Sequence, residues 1–346
     1  MNTTHTIFNN KITPYTAVGG TEYGTSSGIS AVVLNRQGHY PRRSLFQELE
    51  KAGFDCVISI ESSSPHYDIE ELAGRFPFVR FVLPENEINL GEQINIAAHE
   101  IKSPLFFVLR NDLKIIAGGT ARRMAERLSV IQEQKNENGE KKVRIKRLCT
   151  VPVIVNSRYE TLPTLVTPMT YRKIVQTTLM QPQMEGQFSI YPFDGVGIYD
   201  RNRFILTGGF DTTLKNTHWQ LMDFGFRAHL WGEEIALSLQ LKLLCEGEPI
   251  AQDKTVEKSY RRFYLRNLAP VFRGSYAHLP LYRLPSFLLK GEDIITAWEE
   301  FFESRKWVTD NKNKWKRDVL AITSLWDNVN ANINDSENIE KDQDLS

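Results

Sequence analysis

The sequence lacks the patterns that mark several large classes of protein. Its three cysteines lie far apart, so it has no CxxC pair, no Cys/His spacing for zinc and no disulfide framework. Basic and acidic residues number 42 each, so no net charge attracts the chain to nucleic acid or to an anionic membrane. No apolar run reaches membrane-spanning length, and residues 1–10 carry no signal-peptide pattern. We therefore expect a cytoplasmic protein with no transmembrane segment and no nucleic-acid partner.

Short apolar runs alternate with segments of helical periodicity in the first third of the chain. The runs at 29–34, 55–60, 78–83 and 105–109 predict buried strands, and the segments at 41–52, 69–76 and 91–102 predict the helices between them. Strands joined by crossover helices pair in parallel. This pattern predicts an α/β protein with a mostly parallel, Rossmann-like sheet flanked by helices.

The rest of the chain predicts further strands at 148–155 and 188–199, a partly looped segment at 157–187 between them, and a helix at 217–230. Residues 292–325 predict two helical runs. From these patterns we expect four parts: an N-terminal extension (1–27), a main domain (28–255), a mainly helical C-terminal extension (256–330) and an acidic tail too poor in apolar residues to pack (331–346).

Five motifs occur in a fixed order at predicted strand ends and helix starts. They are Leu34-Asn35-Arg36, Glu61 with serines at 62–64, Asn89-Leu90-Gly91 with Asn95, Arg110-Asn111-Asp112, and Gly208-Gly209-Phe210-Asp211 with Asp223 and Arg227. This order resembles the family 2 glycosyltransferases of the GT-A fold, in particular the bacterial nucleotide-sugar transferases, over about residues 29–267. The resemblance implies a GT-A fold and transfer of a sugar from a nucleoside-diphosphate donor, in glycan biosynthesis, to a glycan, lipid-linked or protein acceptor.

The same resemblance assigns eight residues to the donor side of the cleft. They are Asn35, Arg36 and Glu61 for the nucleotide, Asn89, Gly91 and Asn95 for the donor, and Arg110 and Asp112 for the diphosphate. A helix amino terminus near residue 91 also favours phosphate through its free amides and dipole. The alternative is an ordinary helix start, with Asn89 as the N-cap, Gly91 easing the bend and Asn95 on the surface.

Arg110 departs from the metal motif of the family, in which two Asp, or Asn and Asp, are separated by one residue. Asp112 matches the second position, but a guanidinium supplies no oxygen ligand for Mn²⁺ or Mg²⁺ at the first. A divalent metal at Asp112 is therefore an open expectation. Arg110 has three interpretations: it binds the diphosphate in place of the metal, it marks a site without catalysis, or it only pairs with Asp112 or Glu61.

The candidate catalytic residues on the acceptor side are Asp211 and Asp223, which match family motifs, and His218, whose unperturbed pKa range suits a base, with Asp194 as a further candidate base. The usual Glu-Asp pair of the family falls on Gln220 and Leu221, and neither side chain can take a proton from a hydroxyl.

Structural roles are the alternative for two of these carboxylates. Asp211 would close the glycine turn, and Asp223 would pair with Arg227 at i,i+4 on a helix. The segment Tyr264-Leu265-Arg266-Asn267 resembles an aromatic and Arg-Asn element that follows the catalytic domain in some sugar transferases.

Two functional hypotheses follow from the sequence. The first is an active glycosyltransferase that works without the usual metal. The second is a catalytically inactive GT-A pseudoenzyme that binds nucleotide or glycan, or serves as an interaction subunit, and the replacements at Arg110, Gln220 and Leu221 motivate it. A nucleotidyltransferase is disfavoured because no lysine- and glycine-rich loop lies near the amino terminus. We expect His229 to be a core or surface histidine and not a metal ligand.

Overall fold

The computed structural model describes residues 13–20, 27–35, 42–61, 68–117, 119–128, 132–136, 139–143, 147–171, 174–247, 253–289, 293–322 and 326. Its strands, in chain order, are β1 (Tyr15–Gly19), β2 (Ile29–Leu34), β3 (Val57–Ile60), β4 (Val79–Pro84), β5 (Leu105–Arg110), β6 (Leu113–Ala117), β7 (Gln132–Asn136), β8 (Gly139–Val143), β9 (Cys149–Val155), β10 (Leu165–Tyr171), β11 (Ile174–Met180), β12 (Gly197–Asp200), β13 (Ile235–Cys245), β14 (Val271–Phe272) and β15 (Ala277–His278).

The helices, in chain order, are α1 (Arg42–Ala52), α2 (Ile69–Arg75), α3 (Leu90–Glu100), α4 (Ala121–Leu128), α5 (Arg201–Thr207), α6 (Thr217–Leu230), α7 (Lys258–Phe263), α8 (Leu284–Leu288) and α9 (Ile294–Asp310). A π-helical segment, Tyr264–Leu268, continues directly from α7, and a short 3-10 turn at Phe193–Gly195 precedes β12. No helix among the described residues is long and apolar enough to cross a membrane.

A nine-stranded sheet forms the centre of the described fold, in the order β1-β4-β3-β2-β5-β12-β9-β13-β6. Six of these strands point the same way, and only β1, β12 and β6 run against them. The four strands predicted from the early apolar runs are adjacent and parallel, as β4-β3-β2-β5. The predicted α/β fold with a mostly parallel sheet flanked by helices is therefore confirmed.

Both faces of the central strands are buried, as expected for a parallel sheet covered by helices. Along β2, Ile29, Ala31 and Val33 join a core that includes α1, α2 and α4 side chains, while Val32 and Leu34 join the core of α3 and α6. This is why β2 has apolar side chains at nearly every position instead of alternating with polar ones.

Two regions differ from the sequence-based prediction. The segment 1–27, expected as an extension, contributes β1, which pairs with β4 at the edge of the sheet. The strand predicted at 188–199 extends only over β12, because Pro192 leads into a 3-10 turn in which Asp194 and Gly195 have φ of 51° and 72°. The segment 157–187, predicted as partly looped, contains the β10–β11 hairpin. The predicted acidic tail, 331–346, lies outside the described residues.

Candidate functional site

The carboxyl ends of β2, β3 and β5 meet at one edge of the sheet, which we call the carboxyl edge. The register pairs Leu34 with Ile60 on one side and with Arg110 on the other. Asn35, Glu61 and Arg110, which belong to three of the five motifs, are therefore brought side by side, although they are up to 75 residues apart in the sequence. Ligands of open α/β sheets bind outside this edge.

A hydrogen-bonded group of three side chains occupies the β2–β3 side of the carboxyl edge. Asn35 Nδ2 donates to Ser59 Oγ at 3.1 Å, to the carbonyl of Ile60 at 2.8 Å and to Glu61 Oε1 at 3.0 Å. Ser59 Oγ donates to the same Glu61 oxygen at 2.7 Å. Asn35 and Glu61 are thus held in fixed orientations. Arg36, and the serines at 62–64, lie outside the described residues.

Arg110 forms a buried cluster with two carboxylates, which we call the Arg110 triad: Arg110, Asp112 and Asp194. Its Nε donates to Asp112 Oδ1 at 2.8 Å and its Nη2 to Asp112 Oδ2 at 3.0 Å, while its Nη1 bonds Asp194 Oδ2. Burial opposes the charged guanidinium, but its bonds to Asp112 and the negative charge of Asp194 outweigh this effect and raise the pKa of Arg110. Arg110 is therefore a permanent cation paired within the protein.

The residues of the triad do not fit a divalent cation. Both carboxylate oxygens of Asp112 accept N–H bonds from Arg110, and the carboxylate of Asp194 is bonded to the same guanidinium. Mn²⁺ and Mg²⁺ require several oxygen ligands with lone pairs directed at the ion. Among the described residues, no group of three or more His, Cys, Asp or Glu side chains is placed to hold a metal.

The amino terminus of α3 is bonded to protein groups. Asn89 is its N-cap, with Oδ1 accepting from the amide of Glu92 at 2.9 Å, and the amide of Gly91 donates to Gln220 Oε1 at 2.8 Å. Gln220 Nε2 in turn donates to Asn89 Oδ1 at 2.8 Å and to the carbonyl of Asp211 at 3.0 Å. The two amides that would bind phosphate in the sequence-based hypothesis therefore already have acceptors in α6 and in the cap.

Asn95 has a structural contact of its own. Its Nδ2 donates to the carbonyl of Phe210 at 2.8 Å, and its Oδ1 accepts from the amide of Phe210 at 2.9 Å. The backbone N–H and C=O of Phe210 are thus both bonded by one side chain, which fixes the Gly-Gly-Phe-Asp turn against α3. At Gly209, where φ is 63°, a Cβ atom would lie 2.4 Å from Asn95 Oδ1, so glycine is required.

Asp211 is fully buried at the end of that turn. Its Oδ2 accepts from Arg266 Nη1 at 2.6 Å, and its Oδ1 accepts from the hydroxyl of Thr213 at 2.6 Å. Burial by itself would raise the pKa of the Asp211 carboxyl, but Arg266, Thr213 and Arg262 together hold it below its ordinary value. A carboxylate stabilised in its ionised form is a weaker proton acceptor.

Asp223 is likewise buried in α6. Its Oδ2 is bonded to Arg227 Nη1, and its Oδ1 accepts from Asn267 Nδ2 at 2.7 Å. Arg227 also donates to the backbone carbonyls of Thr207 and Gly209. The i,i+4 pairing considered from the sequence is present, and Arg266 and Asn267 of the π-helical segment each bond one of the two predicted catalytic aspartates.

The described ring contacts of His218 are to aromatic side chains, unlike the contacts of these two aspartates. His218 lies in the first turn of α6, buried, with Nδ1 at 3.4 Å from the hydroxyl of Tyr191 and its ring 4.7 Å from that of Trp219. The pKa of the exposed Asp253 carboxyl is lowered, mainly by hydrogen bonds from Thr255 and to a smaller extent by the charge of nearby His218.

Two contacts at the candidate site were missed by sequence reasoning. Asp194 was considered only as a base, although it is bonded to Arg110 from 84 residues away. Gln220 was recognised as a replacement for an acid, but its bonds to Gly91 and Asn89 were not anticipated. A Phe-Asp-Gly turn was the only local signal for Asp194, and nothing local indicated the partner of Gln220.

Comparisons with known proteins show that this chain is similar to solved structures in its fold. No protein-family model matches the chain, and no curated protein matches its sequence. Solved structures of similar fold are GT-A glycosyltransferases and include GalNAc-T7 with UDP, GalNAc and Mn²⁺, which is 13% identical with a TM-score of 0.46 over 82% of this chain and 56% of that one. S. aureus TarS is 11% identical with a TM-score of 0.41, over 80% of this chain and 43% of that one. The chain thus spans about half the length of these two proteins. At such identities the likeness concerns the fold and assigns no role to a residue.

His229, at the buried end of α6, gives the protein a predicted pH dependence. Its Nε2 lies 2.9 Å from the carbonyl of Ser189, and burial lowers its pKa from 6.5 to about 4. Because the folded pKa lies below the unfolded one, the stabilisation is complete above about pH 6.5 and is lost as the pH falls towards 4. Between pH 7 and pH 5 we expect the free energy of unfolding to fall by about 2 kcal/mol from this residue.

Urea titrations at pH 7 and pH 5 measure this loss. The variant His229→Gln keeps a donor for Ser189 but cannot titrate, so its stability is expected to change less between the two values. Replacing the exposed His99 with Gln is the matched control and should leave the pH dependence of the wild type unchanged. Parallel pH profiles for the wild type and His229→Gln would contradict the prediction.

Proposed function

We propose that this chain is a glycosyltransferase-like protein, related to family 2, that binds a nucleoside-diphosphate sugar at its carboxyl edge. The observation that carries the proposal is the placement of Asn35, Glu61 and Arg110 side by side at the ends of three adjacent parallel strands. The family resemblance assigns these residues to the nucleotide and diphosphate. The acceptor would be a glycan, or a lipid-linked or protein glycan carrier, approaching from the side of α6.

Within this proposal, donor binding does not use a divalent metal, because the Arg110 triad leaves no oxygen pair available to one. Arg110, whose charge is fixed and shared between Asp112 and Asp194, takes the place of the metal at the diphosphate side. Of the three predicted catalytic residues, His218 is the best candidate for a general base. The carboxylates of Asp211 and Asp223 are bonded to Arg266 and Arg227, whereas histidine is the side-chain type whose unperturbed pKa range suits proton transfer near neutral pH.

A second candidate function, binding without sugar transfer, is favoured by one specific observation. Gln220 stands where the family has an acid, and its amide is fully occupied by Gly91, Asn89 and the carbonyl of Asp211. A side chain bonded in this way joins α3 to α6 instead of facing a substrate. In this alternative the carboxyl edge still binds a nucleotide sugar, and the protein acts as an interaction subunit.

Calorimetric titration with UDP-, GDP- and dTDP-sugars tests the proposal. We expect one donor to bind, with an affinity that is the same in Mn²⁺ and in EDTA, because the cation is part of the chain. The variant Glu61→Gln, which keeps the shape but removes the charge beside Asn35, should weaken that donor, whereas Glu303→Gln on the exposed face of α9 should not. If none of the donors binds, the proposal is wrong.

Turnover of the bound donor separates the two candidate functions. An active transferase should transfer or hydrolyse the sugar, and His218→Ala should lower that rate by about 100-fold or more while donor binding is retained. His99→Ala, on the exposed face of α3, is the matched control. If the donor binds without turnover, and His218→Ala leaves that binding unchanged, the result supports the non-catalytic alternative.

A further inference from the structure

The Arg110 triad joins two carboxylates from distant parts of the chain on one guanidinium. Asp112 follows β5, and Asp194 lies in the turn before β12, so the pair is formed only by the fold. We propose that Arg110 is a built-in replacement for a divalent cation, and that Asp112 and Asp194 form a latent dicarboxylate metal site that its guanidinium keeps closed. The inference depends on the geometry of the triad and not on the binding of any nucleotide.

Both carboxylates are carried by well-fixed backbone. The carbonyl of Asp112 accepts from the amide of Glu246 at 2.9 Å. Asp194 has the left-handed conformation, φ 51° and ψ 26°, which Asp adopts more readily than most residues. The next residue, Gly195, accepts from the hydroxyl of Tyr199 at 2.7 Å, and a Cβ on it would lie 2.8 Å from Ile94. The bond from Tyr199 and the close approach of Ile94 to Gly195 therefore fix the backbone of the turn that carries Asp194.

The charges explain why a cation must be present between these two side chains. Two carboxylates buried beside each other repel, and without a cation at least one would take up a proton. Arg110 supplies one positive charge and bonds both groups, and Cys245 Sγ lies 3.4 Å from its Nη2 on the remaining side. A free metal ion cannot displace the guanidinium without leaving a buried arginine unpaired, so Arg110 keeps metal from these two carboxylates.

Once the guanidinium is removed, the same two carboxylates become hard oxygen ligands for Mn²⁺. Replacing Arg110 with Asn adds an amide oxygen in place of the cation, and replacing it with Ser leaves space for water. Electron paramagnetic resonance follows binding directly, because the signal of free Mn²⁺ decreases when the ion is bound. The wild type should leave the signal unchanged, whereas Arg110→Asn and Arg110→Ser should bind one Mn²⁺ with Kd of about 1 mM or lower.

Further variants test whether the two carboxylates are the ligands. Adding Asp194→Asn to the Arg110→Asn background should weaken Mn²⁺ binding by about tenfold or more. Arg110→Lys keeps a cation and should not bind Mn²⁺. The control Arg203→Asn removes an arginine from a single carboxylate, Glu233, and should gain no binding.

Thermal melts cover the case in which the variants fold poorly. Mn²⁺ should raise the melting temperature of Arg110→Asn and Arg110→Ser, or restore their folding, and leave that of the wild type unchanged. Three results would overturn the proposal: Mn²⁺ binding by the wild type that Asp112→Asn removes, folded variants that bind no Mn²⁺, or unfolded variants that Mn²⁺ does not rescue.

Discussion

Replacing Asp223 with Asn is expected to lower the free energy of unfolding by about 3–5 kcal/mol, because it breaks a buried ion pair from one side. Asp223 and Arg227 are both almost fully buried, and the Asp223 carboxylate forms an ion pair with the Arg227 guanidinium. Asn has one carbonyl oxygen for two donors, Arg227 and Asn267, so one of its own N–H groups would face a donor. Urea denaturation followed by circular dichroism measures the loss.

Asp310→Asn is the matched control, because Asp310 forms an exposed i,i+4 pair with Lys306 at 2.8 Å and its loss should have little effect on stability. Replacing both members of the buried pair, as Asp223→Leu with Arg227→Met, should cost less than the sum of the two single replacements. If Asp223→Asn is no more destabilising than Asp310→Asn, Asp223 is not a structural anion and its interpretation as a catalytic group regains support.

Replacing Gly91 with Ala is expected to destabilise the protein by about 3 kcal/mol, at the upper end of the usual cost of overpacking. An added Cβ would lie 2.4 Å from the Cβ of Phe210 and 2.6 Å from Cδ of Gln220. Phe210 cannot move away easily, because its backbone N–H and C=O are both bonded to Asn95. The bond from the Gly91 amide to Gln220 would also lengthen, and with it the connection between α3 and α6.

Gly74→Ala provides a control of opposite sign. Gly74 lies in α2, exposed, with nothing within 4 Å of an added Cβ, so alanine should stabilise that helix by about 0.5–1 kcal/mol. Thermal melts of the two variants separate the effects of helix propensity from those of close packing. Equal melting temperatures for Gly91→Ala and the wild type would show that α3 can shift away from α6, and would contradict the packing described here.

The sequence predicted features that depend on residues close together in the chain, and it missed contacts between residues far apart in the chain. Apolar periodicity placed the parallel strands β2 to β5 and the helix α6, since these patterns are local. The N-cap role of Asn89 and the i,i+4 pair of Asp223 and Arg227 were also local enough to be considered as alternatives. The bonds of Arg266 to Asp211 and of Asn267 to Asp223 span 55 and 44 residues, and no local pattern could have indicated them.

For the candidate site, too, the sequence identified positions but not the partners of their side chains. The Arg110 position was identified from the sequence as a departure from a metal motif, but three interpretations of it remained. The structure showed that Arg110 is bonded to both Asp112 and Asp194, and the roles assigned to the site residues remain predictions. Asn95, considered as a surface residue or a donor ligand, proved to bond the backbone N–H and C=O of Phe210 in a turn 115 residues away.

By itself, the sequence determined the α/β class, the order of the parallel strands along the chain and the residues that gather at their carboxyl ends. Periodicity and strand direction suffice for this, because parallel strands must end at the same edge. Only the tertiary structure decided which of those polar groups face one another. Arg110 meets Asp194, and Gln220 meets Gly91, because separate segments are packed together, and that packing is specified by many side chains acting at once.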